Sequence, residues 1–271
     1  MAFLYINSNS KRVILLSFVL LFLLLLSVFY LFQNRFIYQT SRLEKNYRFD
    51  FKAPFEEVWL KTSDGENIQG LFFPASEEKG VVLYLHGNRG HLQRWGAIHD
   101  DFLKNQYSLF VIDYRGYGKS SGKPTEQGLY QDALSAYQWL EKQYAPENIA
   151  IYGRSLGSGV AAWLAAEAPQ SKMLLLETPY DRLPNVISYR YSPLLRPLIR
   201  STFPSDTYLE KVECPVYIFA ATEDQIVPFF LAERLATRHL AEDHFFAIEG
   251  AHHKNIREFK EYHFWLGEVL K

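Results

Sequence analysis

Gly153-Arg154-Ser155-Leu156-Gly157 lies between two segments of different periodicity. Residues 148–152 are apolar and partly β-branched, which is typical of a buried strand, and residues 158–166 are rich in alanine and predict a helix. A serine on the sharp turn between a strand and a helix, with glycines two residues before and after it, is typical of a nucleophile elbow. The alternative is a turn that only joins the two elements.

Two polar clusters follow later segments of the same strand type. Residues 215–221 predict a strand that runs into Glu223-Asp224, and residues 244–248 predict a strand that runs into Gly250-Ala251-His252-His253. Ligand sites of open α/β sheets lie past the carboxyl ends of the strands. Serine, then acid, then histidine is the chain order of a hydrolase triad, so we predict Ser155 as the nucleophile and Asp224 as its acid.

The apolar segment 80–85 predicts another buried strand, which runs into His86-Gly87-Asn88. A His-Gly turn at this place supplies one backbone N–H to an oxyanion hole, and the residue after the nucleophile supplies the other. We therefore predict the backbone N–H groups of Asn88 and Leu156 as the oxyanion donors. The His86 side chain is predicted to brace the loop rather than to act in catalysis.

The chain as a whole resembles the α/β-hydrolase superfamily over residues 55–271. It looks most like membrane-anchored α/β-hydrolase-domain proteins related to the serine aminopeptidase-like (S33-type) group. The motifs that carry the resemblance are Leu85-His86-Gly87-Asn88, Asp113-Tyr114-Arg115-Gly116-Tyr117-Gly118-Lys119-Ser120, Gly153-Arg154-Ser155-Leu156-Gly157, Asp224 with Val227-Pro228, and Gly250-Ala251-His252-His253.

The resemblance bears on the choice of acid and base. Relatives often have a glycine before the acid loop where this chain has Ala221, so Glu223 and Glu177 stay open as alternatives to Asp224. Relatives usually place the base three residues after a glycine. This spacing favours His253 over His252.

The implied reaction needs only side chains and water. The base removes the proton of Ser155 during attack, the acid orients the imidazole, and water hydrolyses the acyl-enzyme. The single cysteine and the scattered histidines lack metal-ligand spacing, so we expect no metal and no organic cofactor.

The N-terminal part predicts one transmembrane helix. Val13 to Phe32 is apolar except for Ser17, Ser27 and Tyr30, and a helix of this length spans about 30 Å, the hydrocarbon thickness of a bilayer. The bulky residues that follow do not suit cleavage, which favours an uncleaved signal-anchor. Positive charges flank both ends about equally, and the resemblance to anchored relatives implies a catalytic domain on the non-cytoplasmic side.

These features predict an N-terminal tail (1–12), a transmembrane signal-anchor (13–32), a juxtamembrane connector (33–54) and an α/β-hydrolase domain (55–271). Asp64-Gly65 predicts an antiparallel hairpin, and later helix–strand alternation predicts a mostly parallel eight-stranded sheet with helices on both faces. The predicted strands lie near residues 56–62, 67–73, 80–85, 108–113, 148–152, 172–176, 215–221 and 244–248. The predicted helices lie near residues 91–105, 125–144, 156–168, 229–240 and 255–270.

Residues 180–208 are rich in aromatic and aliphatic side chains and are broken by four prolines. We predict that they form a small lid; the alternative is a packed connection without substrate contact. The net charge of −1 provides no field that would attract nucleic acid.

The functional prediction is a membrane-anchored serine hydrolase that cleaves an ester or thioester. Its substrate would be a small acyl ester, a lipid or an acylated protein. The alternatives are a serine peptidase or amidase and a non-catalytic module of the same fold that binds a membrane partner.

Overall fold

The computed structural model describes residues 8–239 and 244–271. Residues 1–7 of the predicted tail and position 240 of a predicted helix lie outside the described residues. The chain divides into two compact units, one that ends at Ile37 and one from Tyr38 to Lys271.

The first unit is a single helix, α1 (Ser8–Ile37). Its part from Lys11 to Ile37 has a mean hydropathy of 2.9 and is long and apolar enough, by length and composition, to cross a membrane. The helix runs beyond the predicted limits of 13–32 because neither glycine nor proline interrupts the flanking residues.

The second unit is built on a mixed sheet, which has eight strands within the described residues. Its strands are β2 (Glu56–Lys61), β3 (Asn67–Phe73), β4 (Gly80–Leu85), β6 (Tyr107–Asp113), β7 (Ile149–Arg154), β8 (Met173–Glu177), β9 (Val216–Ala221) and β10 (Phe245–Ile248). Two further short strands, β1 (Gln39–Thr40) and β5 (Arg89–Gly90), pair with each other in parallel. The prediction of an eight-stranded, mostly parallel sheet is confirmed.

The strand order in the sheet is β10-β9-β8-β7-β4-β6-β3-β2. The strands from β10 to β6 pair in parallel, whereas β3 is antiparallel to both of its neighbours, in agreement with the predicted hairpin at Asp64-Gly65. The chain leaves β4 towards β6 on one side and returns to β7 on the other. The carboxyl ends of β4 and β7 therefore form the crevice in which such sheets bind ligands.

Helices cover the sheet on both faces, as predicted. In chain order they are α2 (Leu92–Trp95), α3 (His99–Leu103), α4 (Glu126–Leu140), α5 (Leu156–Glu167), α6 (Leu183–Arg190), α7 (Ser205–Leu209), α8 (Phe229–His239) and α9 (Lys260–Val269). Trp95, Phe102 and Tyr262 form a buried core cluster with Tyr84 and Tyr152 of the sheet. On the other face α5 packs against β7, and α4 packs against α5.

The segment between α1 and the hairpin packs with the sheet domain, although it was predicted as a connector. Phe49 is buried in the core cluster, and Tyr47, Phe51 and Phe55 pack against that cluster. A Cβ atom on Gly96 would lie 2.6 Å from the Phe51 ring. This crowding accounts for Gly96. The predicted helix 91–105 consists of α2, a 3₁₀ turn over residues 96–98 and α3.

We expect the catalytic domain to need this segment. A chain that begins at Tyr38 should be folded and should hydrolyse a water-soluble ester as fast as the full chain. A chain that begins at Phe55 should lose more than about 4 kcal/mol of unfolding free energy, because it loses the buried Phe49 and the partly buried Phe51. Thermal unfolding and kcat/KM of the two shortened chains test this. Equal stability of both would show that residues 38–54 are a simple tether.

Candidate active site

Ser155 lies on a strained turn between β7 and α5. Its backbone has φ +50° and ψ −118°, in a region that a residue with a Cβ rarely adopts. A Cβ atom on Gly157 would lie 2.0 Å from the carbonyl oxygen of Leu85, so only glycine allows α5 to approach β4 this closely. The strain and the close approach together raise the serine above the carboxyl ends of the central strands.

The structure brings Ser155, His253 and Asp224 together. His253 Nδ1 donates to Asp224 Oδ2 at 2.6 Å, which leaves Nε2 free to accept from the Ser155 hydroxyl at 2.9 Å. The other Asp224 oxygen accepts the backbone N–H groups of Ile226 and Val227, each at 2.8 Å. The carboxylate is thus fixed on one side by the backbone and presents its other oxygen to the imidazole.

The alternative acids and base lie elsewhere. His252 is exposed, and its Nδ1 donates to the Glu223 carbonyl at 2.8 Å, with its Nε2 at 3.6 Å from the Glu223 carboxylate. Glu177 is fully buried and pairs with Arg154 at 3.1 Å. Among the described hydrogen bonds, none joins Ser155 to the side chain of His252, Glu223 or Glu177.

The loop after β4 lies directly beside the serine. A Cβ atom on Gly87 would be 3.6 Å from Ser155 Cβ, so Asn88, the predicted oxyanion donor, follows a residue that packs on the nucleophile. Leu156, the other predicted donor, is the first residue of α5, where backbone N–H groups and the positive end of the helix dipole favour an anion.

The His86 side chain braces this loop, in line with the prediction. It is fully buried and stacks on Trp95, its Nδ1 donates to the Gly87 carbonyl at 2.6 Å, and its Nε2 lies 3.4 Å from Asp113. No described contact joins the imidazole to Ser155.

Two tyrosines of the Asp113–Ser120 motif were not predicted to support the site. Tyr114 donates to the His86 carbonyl at 3.2 Å, and Tyr117 donates to the Asn88 carbonyl at 3.1 Å. The Asn88 carbonyl also accepts the backbone N–H of Gln39 at 3.1 Å. These bonds fix the His86 and Asn88 carbonyls, which lie in the peptides on either side of the one that carries the Asn88 N–H, and nothing in the local pattern around residue 88 signals them.

Arg115 of the same motif connects the loop after β6 to the rest of the domain. Its guanidinium donates to the buried Asp132 at 2.9 Å and to Asp64 in the hairpin turn at 2.6 Å. Burial raises the pKa of Asp132 to about 6 despite this partner, whereas the hydrogen bond from Arg115 lowers the pKa of Asp64 to about 2. The motif is therefore structural support beside the site.

Within the described residues, no group of three or more histidine, cysteine, aspartate or glutamate side chains could hold a metal ion.

Comparison with known proteins identifies the family. Residues 76–207 match the family model described as serine aminopeptidase, S33. An uncharacterized protein of Mycobacterium tuberculosis is 35% identical over 205 residues, which cover 73% of this chain and 72% of that protein. The chain belongs to the α/β-hydrolase superfamily. The predicted resemblance is thereby confirmed.

Two further similarities are consistent with the assignment of this chain to the α/β-hydrolase superfamily. The lysophosphatidylserine lipase ABHD12 of Mus musculus is 32% identical over 201 residues, which cover 66% of this chain and 50% of the lipase. The chain thus spans about half the length of that relative. The esterase Pf2001 of Pyrococcus furiosus has a TM-score of 0.67 at 20% identity, over 86% of this chain and 97% of the esterase, and this similarity concerns the fold alone.

A further residue, Arg154, links the core of the hydrolase to the loop that carries His253. Arg154 precedes the nucleophile, is buried, and donates from Nη2 to the His253 carbonyl at 2.7 Å. Its other guanidinium nitrogen pairs with Glu177, which also accepts from Tyr152 at 2.8 Å. Burial is the largest single effect and lowers the pKa of Arg154, but Glu177 together with Tyr84 and Tyr152 outweighs burial, so the pKa lies above its usual value. Arg154 therefore stays charged and holds the loop.

We expect Arg154 to act as a positioning residue. Arg154→Lys keeps the charge but cannot make both contacts, so kcat should fall roughly tenfold on a short ester while KM stays constant, since small displacements of reacting groups are costly. Arg94→Lys is the matched control, because Arg94 is exposed and lies over the Trp95 ring at 4.9 Å, whereas the buried Arg154 lies over that ring at 5.5 Å. A loss of thermal stability without a change in kcat would assign Arg154 a purely structural role.

Proposed function

We propose that the chain is a membrane-anchored serine hydrolase that cleaves an acyl ester through an acyl-enzyme. The observation that carries the proposal is the position of His253, which lies within hydrogen-bond distance of both Ser155 and Asp224. This is the arrangement that a serine needs to become a nucleophile at neutral pH, because a base must remove its proton during attack.

Each residue has one role in this reaction. His253 Nε2 takes the Ser155 proton as Oγ attacks the acyl carbonyl, and it then returns the proton to the leaving group. Asp224 keeps the imidazole in the required tautomer and stabilises its charged form. The N–H groups of Asn88 and Leu156 bind the oxyanion of each tetrahedral intermediate. His253 then takes a proton from a water that attacks the acyl group on Ser155, and it returns that proton to Ser155 Oγ as the acid is released.

The proposed substrate is an ester of a fatty acyl chain, and the second candidate is a thioester of an acylated protein. Two observations support a lipid ester: one relative is named a lysophosphatidylserine lipase, and α1 has the length and composition of a membrane span. A tethered domain meets membrane lipids at a raised effective concentration. We propose that the domain lies on the non-cytoplasmic side, in the orientation predicted from anchored relatives.

A panel of substrates tests this proposal. The full chain in detergent micelles is assayed with p-nitrophenyl esters of increasing chain length, with a lysophospholipid and with aminoacyl p-nitroanilides. We expect ester cleavage that Ser155→Ala abolishes. The family model is described as a serine aminopeptidase, so a higher kcat/KM on the anilides than on any ester would replace the esterase proposal with a peptidase.

A further inference from the structure

The lid (residues 180–208) carries a group of exposed apolar side chains. Tyr189, Tyr191 and Leu194 are each about two-thirds exposed, at 67%, 68% and 67%. Phe230 on α8 is 44% exposed, and its ring lies 5.6 Å from the ring of Tyr189. We call these four residues the lid face.

The lid face holds most of the large apolar side chains that the domain exposes. Among the described residues from Tyr38 onward, the large exposed hydrophobic residues are the lid face together with Trp59 and Phe264. Tyr189 lies on α6 and Leu194 lies in the 3₁₀ helix of residues 193–198, and these two helical pieces pack against each other. Concentrated exposure of this kind marks an interaction surface, whereas single exposed apolar residues carry no such meaning.

The lid carries a net positive charge. Residues 180–208 contain four arginines and two aspartates, Asp181 and Asp206, in a chain whose net charge is −1. Arg182 pairs with Asp206 at 2.9 Å. Arg190, Arg196 and Arg200 are exposed along the same segment as the tyrosines. Arginine beside tyrosine and leucine is the composition of surfaces that lie in the interface of a bilayer.

The lid face is held beside the active site. Arg190 donates to the carbonyl of Gln225, the residue after Asp224, at 3.1 Å. At the other end of the lid, the Glu126 carboxylate accepts the backbone N–H groups of Thr202 at 2.6 Å and Phe203 at 2.9 Å. A surface that binds the lid face would therefore lie close to the entrance of the site.

We infer that the lid face is a docking surface for an anionic lipid bilayer. The apolar and aromatic side chains enter the interface, and the arginines meet the negative headgroups. This inference rests on the proposed membrane-anchored hydrolase, because the anchor supplies the bilayer. Each basic residue near an anionic surface strengthens such binding about fivefold, so the contact depends on headgroup charge and weakens with added salt.

Fluorescence quenching in the full chain tests the inference. Cys214 is buried, and burial raises the pKa of its thiol to about 11, so an introduced surface cysteine reacts selectively with a polarity-sensitive dye. Leu194→Cys places the dye on the lid face. Gln143→Cys is the control, because Gln143 is exposed and precedes β7. It therefore lies towards the amino ends of the parallel strands, whereas the site lies at their carboxyl ends. Both chains carry Ser155→Ala and are reconstituted with phosphatidylcholine alone or with equal phosphatidylcholine and phosphatidylglycerol, each with a nitroxide on the acyl chain.

The lid dye should shift to the blue and be quenched in the mixed bilayer, and the control dye should not. Arg196→Glu in the Leu194→Cys chain changes the charge by two, so it should lower the ratio of docked to free lid about 25-fold. Equal quenching of both dyes, or quenching that ignores Arg196→Glu and headgroup charge, would overturn the inference. Dye self-quenching that rises with the protein-to-lipid ratio, in place of nitroxide quenching, would overturn the inference and show that the lid face binds a second copy of this chain. Vesicle flotation measures membrane anchoring, and ester turnover is measured on the chain that keeps Ser155. A failure of the proposed function is therefore distinguishable from a failure of the docking inference.

Discussion

His253→Ala should lower kcat/KM on a soluble p-nitrophenyl ester by about 10⁴-fold or more, because a serine without its base has lost the whole catalytic unit. The neighbouring exchange His252→Ala should leave the rate close to that of the unaltered chain, since His252 is exposed and contacts the Glu223 carbonyl and not Ser155. The two adjacent histidines form a matched pair, and both variants are compared at a temperature well below their thermal unfolding. A larger loss at His252 would assign the base to it instead.

Asp224→Asn should lower kcat about 10³- to 10⁴-fold with little change in KM. The backbone N–H groups of Ile226 and Val227 both require an acceptor, so the amide oxygen should replace Oδ1 and the NH₂ group should face His253. The imidazole must then accept at Nδ1 and carry its proton on Nε2, where it can no longer take the serine proton.

Glu223→Gln is the control for this exchange, because Glu223 is exposed and neighbours the acid. Its kcat should match that of the unaltered chain. If Glu223→Gln removes activity while Asp224→Asn keeps it, the acid of the triad is Glu223, the alternative that the sequence left open.

The central strands could be predicted from the sequence because β4, β6, β7 and β8 are short, mainly apolar segments that are buried throughout. The candidate site could be predicted because Ser155, Asp224 and His253 each follow a strand, and parallel strands bring their carboxyl ends together. Local periodicity and chain order are sufficient for both.

The parts that were not predicted depend on contacts between distant residues. Arg154 meets the His253 carbonyl across 99 positions, and Tyr117 meets the Asn88 carbonyl across 29. Tyr47, Phe49 and Phe51 alternate with polar residues at the period of a strand, yet they form no strand, and Phe51 packs on Gly96 far along the chain. Only the folded arrangement reveals such pairs, because side-chain pattern reports local structure.

The most direct measurement of the central claim is the position of a covalent fluorophosphonate adduct. Trypsin cleavage after Arg154 releases residues 155–172, which contain Ser155, Ser158 and Ser171, and fragment masses distinguish the three. The account predicts an adduct on Ser155 that persists in Ser158→Ala and disappears in Ser155→Ala, with thermal stability of both variants retained. An adduct on another serine, or labelling that survives in folded Ser155→Ala, would contradict it.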